Sequence, residues 1–281
     1  QDAGGQDSGS EDAGSQDTGV LDSGGGPGDG GSDAGGGWVP YFHDDFESYP
    51  VGEIPPRTFS RTTVTREFSF RGAQSARMAI EPVDAGGFGE WGASVPLDPE
   101  LREGDELWVR FYARWPATFQ FTAMPFQYLV RVRTEDPMGT FDGHNDFMIA
   151  NARGPSDVFR TIKEGHGVYE SYDGLPVPTE RWERYEVYLR FHHREGGPGT
   201  ERARFIVWRD DNLLFDRSDV PTLGEVDRLV PAALLFSWWS GEMPPSNHVF
   251  VDDLTVATSD NPPTRRDRFG NTWIGNWPAR D

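Results

Sequence analysis

From Trp38 onward, apolar or aromatic side chains alternate with polar ones at every second residue, and no 12-residue stretch keeps a helical stripe. A period of two puts successive side chains on opposite faces of an extended chain, so it selects strands. Leu107–Trp115 (LWVRFYARW), Phe126–Arg133 (FQYLVRVR), Asp146–Ala150 (DFMIA), Tyr185–Phe191 (YEVYLRF), Arg204–Trp208 (RFIVW), Ala232–Trp239 (AALLFSWW) and Val249–Ala257 (VFVDDLTVA) read as strands parted by Gly, Pro, Asp and Asn. About ten or more strands in roughly 220 residues predict one all-β domain over 38–258, a sandwich of two antiparallel sheets. Residues 259–281, with Pro262-Pro263 and a mixture of Arg, Asn and Trp, read as an irregular C-terminal tail laid over the surface.

Residues 1–37 are different material. They are almost wholly Gly, Asp, Ser, Gln and Ala, and Val20 and Leu21 are their only large apolar residues. Such a segment cannot bury enough apolar surface to offset the entropy of ordering it, so a disordered linker is expected. Asp2, Asp7, Asp12, Asp17 and Asp22 recur at every fifth position, a degenerate pentad with no apolar position. That pattern builds no solenoid and predicts a self-repelling spacer. The tract is also similar to the spacer that follows the lipidated cysteine of bacterial surface lipoproteins. That likeness leads us to expect an extracellular or bacterial cell-surface protein, anchored as a lipoprotein through residues upstream of Gln1.

Charge and cysteine content narrow the function. The net charge is −20, of which the first 37 residues carry −8 and the remainder −12. A nucleic-acid partner needs a basic footprint, so none is expected. The basic residues are nearly all Arg, with Lys163 the only lysine, and an acidic polymer remains a possible partner where Arg residues gather. There is no cysteine, hence no disulfide or thiolate chemistry. No apolar run approaches the ~20 residues of a membrane span. A monomer is expected.

Alternation sorts the strand faces. Tyr128, Val130 and Val132 fall on one side of their strand, with Gln127, Leu129, Arg131 and Arg133 on the other. Val109, Phe111 and Ala113 read as core, opposite Trp108, Arg110, Tyr112 and Arg114; Tyr185, Val187, Leu189 and Phe191 oppose Glu186, Tyr188 and Arg190. Faces that mix Arg with aromatics suit sugar, because rings stack on apolar C–H faces and guanidinium grips carboxylate. The alternative is a solvated sheet face with Arg stems lying on their neighbours. The sugar reading predicts a groove in which Arg131 and Arg133 stand beside Arg110, Tyr112, Arg114, Gln127, Tyr188 and Trp239.

Three stretches carry a family resemblance: Asp44-Asp45-Phe46-Glu47-Ser48; Phe70-Arg71-Gly72-Ala73-Gln74-Ser75-Ala76-Arg77-Met78; and Trp238 with Ser240-Gly241-Glu242 ahead of Val249-Phe250-Val251-Asp252-Asp253-Leu254. In order and spacing they resemble the concanavalin-A-like jelly-roll polysaccharide lyases, among them the fungal cellulose-induced jelly-roll protein and the glucuronan and alginate lyases. The resemblance implies a β-jelly-roll sandwich. It also implies a structural calcium held by Glu47, Asp252 and the carbonyl of Arg71, the kind of oxygen set that Ca²⁺ prefers. For chemistry, it implies a group that neutralises a uronate carboxylate, a base that takes the proton α to it, and an acid for the leaving oxygen. The family's His-x-Arg pair aligns on His144-Asn145-Asp146, where the second basic residue is missing. Arg131 and Arg133 are the substitute neutralisers, and His144, His166, Tyr169 or Tyr172 the proton-transfer groups.

Other signatures are absent: no E-x-D-x-x-E, G-x-S-x-G, H-E-x-x-H or phosphate loop occurs, and His192-His193 are adjacent rather than at zinc-ligand spacing. Three functions therefore compete. The first is a β-eliminating lyase on a uronate-containing glycan. The second is a lectin-like surface lipoprotein that binds glycan without turnover. The third is an envelope protein whose sandwich only mediates contacts.

Overall fold

The computed structural model describes residues 38–80, 87–88, 92–119, 126–151, 157–165, 168–172, 177–197, 200–240 and 247–277. The expected linker at 1–37 lies outside them, as does the end of the tail. Among the described residues there is no helix. The strands begin with β1 (Phe42–Asp44), β2 (Thr62–Thr65), β3 (Ser75–Ile80), β4 (Gly87–Phe88), β5 (Ala93–Leu101) and β6 (Glu106–Arg114). They continue with β7 (Phe126–Glu135), β8 (Phe141–Asn151), β9 (Asp157–Lys163), β10 (Val168–Tyr172), β11 (Trp182–Arg190) and β12 (Arg204–Arg209). The last are β13 (Asn212–Arg217), β14 (Val230–Ser240), β15 (Asn247–Thr258), β16 (Arg265–Arg266) and β17 (Thr272–Trp273).

Two antiparallel sheets form the sandwich. The eight-stranded sheet runs β13-β12-β11-β6-β15-β3-β2, with β1 also on β15; the seven-stranded sheet runs β10-β9-β8-β7-β14-β4, with β5 also on β14. Each strand predicted from alternation is present. Between the sheets lie Phe111, Tyr185, Phe147, Phe159 and Phe236, all fully buried, and the Phe111 and Phe236 rings meet edge-on at 5.2 Å across the gap. Burying each such ring contributes about 1.5–3 kcal/mol, which makes this aromatic layer a principal source of stability.

Two departures from simple alternation decide where the site sits. The first is a β-bulge in β7: Tyr128 pairs with Met148 but Val130 pairs with Phe147, leaving Leu129 as an extra residue. Leu129 and Val130 are both core residues, so the strand changes phase between them. Tyr128 and Arg131 thereby share the outer face, the guanidinium lying 4.4 Å over the ring. Gln127 is turned inward instead, 1 % exposed, with no partner for either amide atom among the described residues. The expected grouping of Tyr128 with Val130, and of Gln127 with Arg131, is therefore reversed.

The second departure is the coverage of the eight-stranded sheet on both faces. Strands β6, β11 and β15 are buried at nearly every residue rather than every other one. The outer face of Trp108, Tyr188, Ile206, Trp208 and Ala257 packs against Ile274, with Trp38, Leu213, Trp273 and Trp277 around it. Polar bonds fasten this tail. Ile274 and Gly275 donate their N–H groups to the buried Glu186 carboxylate at 2.5 and 2.9 Å, and Trp108 Nε1 donates to Thr272 O at 3.0 Å.

Candidate functional site

The tail corrects part of the predicted groove. Arg110, Tyr112 and Tyr188 lie on the eight-stranded sheet, not beside β7, and all three are buried. Arg110 Nη1 donates to Gly275 O at 3.1 Å and to Trp277 O; Nη2 donates to Asp253 O at 3.1 Å and Thr255 Oγ1 at 2.6 Å. Tyr112 donates to Asn276 Oδ1 at 3.3 Å and Tyr188 to Glu106 Oε1 at 2.6 Å. Arg114, on the same sheet, lies 4.1 Å over the Phe68 ring. Alternation identified these positions as outward but could not show that the chain's own C-terminus covers most of them. With Gln127 facing the core, five of the predicted sugar contacts stand apart from Arg131. The side chains of Trp239, Tyr169 and Tyr172, and the whole of His166, lie outside the described residues.

What the fold does bring together is on the outer face of β7, β8 and the end of β9. Register pairs Arg131 with Asp146 and Arg133 with His144, and Glu164 follows β9 directly. Arg131 Nε donates to Asp146 Oδ1 at 3.0 Å, and Arg131 Nη2 donates to Glu164 Oε1 at 3.0 Å. His144 Nδ1 lies 2.8 Å from Glu164 Oε2 and 2.8 Å from Arg131 Nη2. Arg131 and His144 are nearly buried, and Asp146 is wholly so. Arg133 is more open, its Nε 3.1 Å from Glu135 Oε2 with a side chain 41 % exposed. Tyr169 occupies the same register row, two strands beyond Asp146 through Ile162, which is a backbone separation of about 10 Å.

Burial pulls the His144 imidazole down to about 4; the Glu164 hydrogen bond resists, and the Arg131 charge adds to the fall. The ring is therefore neutral at pH 7. Burial raises Glu164, but the His144 hydrogen bond and the charges around it outweigh that and hold its carboxyl below the usual range. Nδ1 faces two groups at 2.8 Å, the acceptor-only Glu164 Oε2 and the donor-only Arg131 Nη2, and a neutral ring satisfies one of them: protonated it donates to Glu164, unprotonated it accepts from Arg131. In the tautomer that donates Nδ1–H to Glu164, Nε2 carries a lone pair with no partner among the described residues. Burial pushes the Asp146 carboxyl up to about 7, with Arg131 holding it back. Asp146 Oδ2 has no hydrogen-bond partner there.

Asp146 and Glu164 were not anticipated as site residues. Asp146 opens a predicted strand and Glu164 sits in a polar loop, and only the β7–β8–β9 register aims both at Arg131. His144, Asp146 and Glu164 are close enough to hold a metal, but the Arg131 guanidinium already stands among them as the cation. Glu103, His192 and His193 form a second such group. There Arg194 donates to His192 Nδ1 from its backbone N at 2.9 Å and to His193 Nε2 from Nε at 3.0 Å. The other two ring nitrogens therefore carry protons toward Glu103 Oε1, at 2.9 and 2.7 Å, and offer a metal no lone pair.

The residues expected at the calcium site converge on one turn. Glu47 Oε1 accepts from Ala73 N and Gln74 N, both at 2.8 Å, while Asp252 Oδ2 accepts from Phe70 N at 2.7 Å and Arg71 N at 3.1 Å. Arg71 thus offers Asp252 its amide, and its guanidinium lies 3.4 Å from Asp253 Oδ2. Both carboxylates accept main-chain N–H groups of the 70–74 turn, and Asp252 Oδ1 accepts another from Asp253 N at 2.7 Å. The remaining lone pairs of such carboxylate oxygens are of the kind a hard ion takes.

No family model matches the sequence, and no curated protein matches it. Solved structures do. A mutant alginate lyase in complex with alginate trisaccharide superposes with a TM-score of 0.58 at 11 % identity, covering 77 % of this chain and 97 % of the lyase. An endo-β-1,4-glucuronan lyase from the fungus Trichoderma reesei gives 0.52 at 14 % identity, over 78 % and 95 % of the two chains. The PL-14 alginate lyase from Aplysia kurodai gives 0.51 at 8 %, over 78 % and 99 %. The fold is that of the jelly-roll polysaccharide lyases. At these identities the likeness concerns the fold, and the chemistry must be argued from the side chains.

Proposed function

We propose that this chain engages an acidic polysaccharide on the outer face of the seven-stranded sheet and cleaves it by β-elimination, with His144 as the base. The observation that carries this reading is the His144–Glu164 contact at 2.8 Å. In the tautomer that donates Nδ1–H to Glu164, Nε2 keeps a lone pair able to take the proton α to a uronate carboxylate. Removing that proton drives charge onto the carboxylate, where a guanidinium must meet it. The electron pair then forms the C4–C5 double bond as the C4–O bond breaks, and the leaving oxygen takes a proton from the imidazolium or from water. Arg131 is engaged by Asp146 and Glu164, so its role is to hold the base. Arg133, beside His144 across the strand pair and half exposed, is paired only through Nε to Glu135 among the described residues, and is the more available guanidinium for substrate. An arriving uronate would add negative charge near His144 and raise its basicity toward the working pH.

Binding without turnover is the competing reading, favoured by the low basicity that burial gives His144. Both follow from one experiment: a panel of polyuronates monitored at the absorbance of the unsaturated product, with a parallel retention assay. Turnover that falls about 10²–10⁴-fold in His144→Gln supports elimination. Undiminished turnover in that variant removes His144 from the role, and retention of a polyuronate without product selects the binder.

We further propose that Glu47 and Asp252, with the carbonyl of Arg71, hold a structural calcium that joins β15 to the start of the domain. An exported protein held at a cell surface by its acidic spacer accords with a polymeric substrate too large to enter a cell.

A further inference from the structure

The hairpin joining β7 to β8 contains a second bulge. Thr134 pairs with Gly143 while Glu135 pairs with Phe141, so Asp142 is skipped, and Gly143 takes φ +132°. In a regular strand Phe141 and His144, three residues apart, would face opposite sides. The bulge puts both on the outer face, their rings 4.7 Å apart and tilted by 50°. Phe141 is 52 % exposed although the domain has a large apolar interior. The Arg133 guanidinium lies 6.0 Å from the same ring, at the limit of a cation–π contact. Arg228 Nε pairs with Asp142 Oδ1 at 3.0 Å and clamps the bulged residue, so the ring is held up rather than left loose.

An exposed aromatic ring beside an exposed guanidinium is complementary to one chemical object: a sugar ring with an apolar C–H face and a carboxylate at its edge. We propose that Phe141 and Arg133 form a uronate subsite next to His144. Phe141 stacks on the ring while Arg133 pairs with its carboxylate, and together they set which unit of the polymer lies at the base. The inference rests on this face being the glycan-binding one. It goes beyond the elimination reading by naming the ring that positions the chain, and it stands whether or not turnover occurs.

The test uses the full chain carrying His144→Ala, so that no polymer is consumed, in affinity electrophoresis through gels with a polyuronate or a neutral glucan. Adding Phe141→Ala should weaken retention by the polyuronate roughly tenfold, and Phe141→Trp should restore it. Adding Arg133→Ala should weaken retention by the polyuronate and leave the neutral gel unaffected. Melting temperatures should stay put, since both side chains are half exposed. Equal retention of the parent and the Phe141→Ala variant overturns the subsite, as does a parent that no polyuronate retards. If retention depends on Phe141 and Arg133 but the wild type yields no unsaturated product, the subsite holds and elimination fails.

Discussion

Arg110→Met separates a sugar-binding arginine from a structural one. Methionine keeps much of the stem and removes the guanidinium. That group is fully buried and donates to Gly275 O, Trp277 O, Asp253 O and Thr255 Oγ1, and it pairs with Asp253 Oδ1 at 3.1 Å. Removing one partner of a buried ion pair costs about 3–5 kcal/mol, because the other charge stays behind in a dry site. Asp253 keeps Arg71 at 3.4 Å and the His43 ring at 3.6 Å, so the lower end of that range applies. For a domain of this size each kcal/mol moves Tm by roughly 2–4 °C, so a fall of about 6–12 °C is expected. Circular dichroism melts supply the number, and hydrogen exchange should show amides 272–277 losing protection first. Retention on polyuronate, measured per folded molecule, should not change. A Tm within about 2 °C of wild type together with lost retention would refute this placement of Arg110 and return it to the glycan site.

Two further outcomes are expected. Chelator should lower Tm and added calcium restore it, since an ion bound only by the native state stabilises by about 2.7 kcal/mol at one hundred times its Kd; an unmoved midpoint excludes the ion. For His144, the folded pKa lies near 4 and the ordinary value is 6.5, so between those pH values the unfolded chain binds the extra proton and stability rises with pH. His144→Gln lacks that contribution. The stability gap between wild type and variant, from urea titrations, should therefore move in favour of wild type as pH rises from 4 to 6.5; a gap that is flat or moves the other way contradicts a buried neutral imidazole.

The candidate site was legible in part. Arg131, Arg133 and His144 were identified from sequence as one site's material, and the structure sets Arg131 and His144 in contact with Arg133 beside them. Gln127, Phe141, Asp146 and Glu164 were not placed by the sequence, for identifiable reasons. Gln127 was assigned outward by counting twos through Leu129, and one inserted residue inverts every assignment before it. Phe141 was missed because it lies outside the segment that alternation marked as a strand, and only a bulge brings it to the face of His144. Asp146 and Glu164 carry no local signal, being ordinary acidic residues until register sets them against Arg131.

The sequence alone determined the class of architecture. Period-two patterning, the absence of a helical stripe and the aromatic content leave antiparallel strands stacked in two sheets as the way to bury that surface. Those are local properties, carried by each segment regardless of its partners. Tertiary structure decided which outward face the C-terminal segment covers. Arg110, Tyr112 and Tyr188 on one sheet and Arg131 and Arg133 on the other have the same outward alternation, but the C-terminal segment lies over the first set, with Glu186 accepting its amides. Burial of an outer face depends on contacts between residues some 160 positions apart, as between Arg110 and Gly275, and a pattern that repeats every second residue carries no information about them.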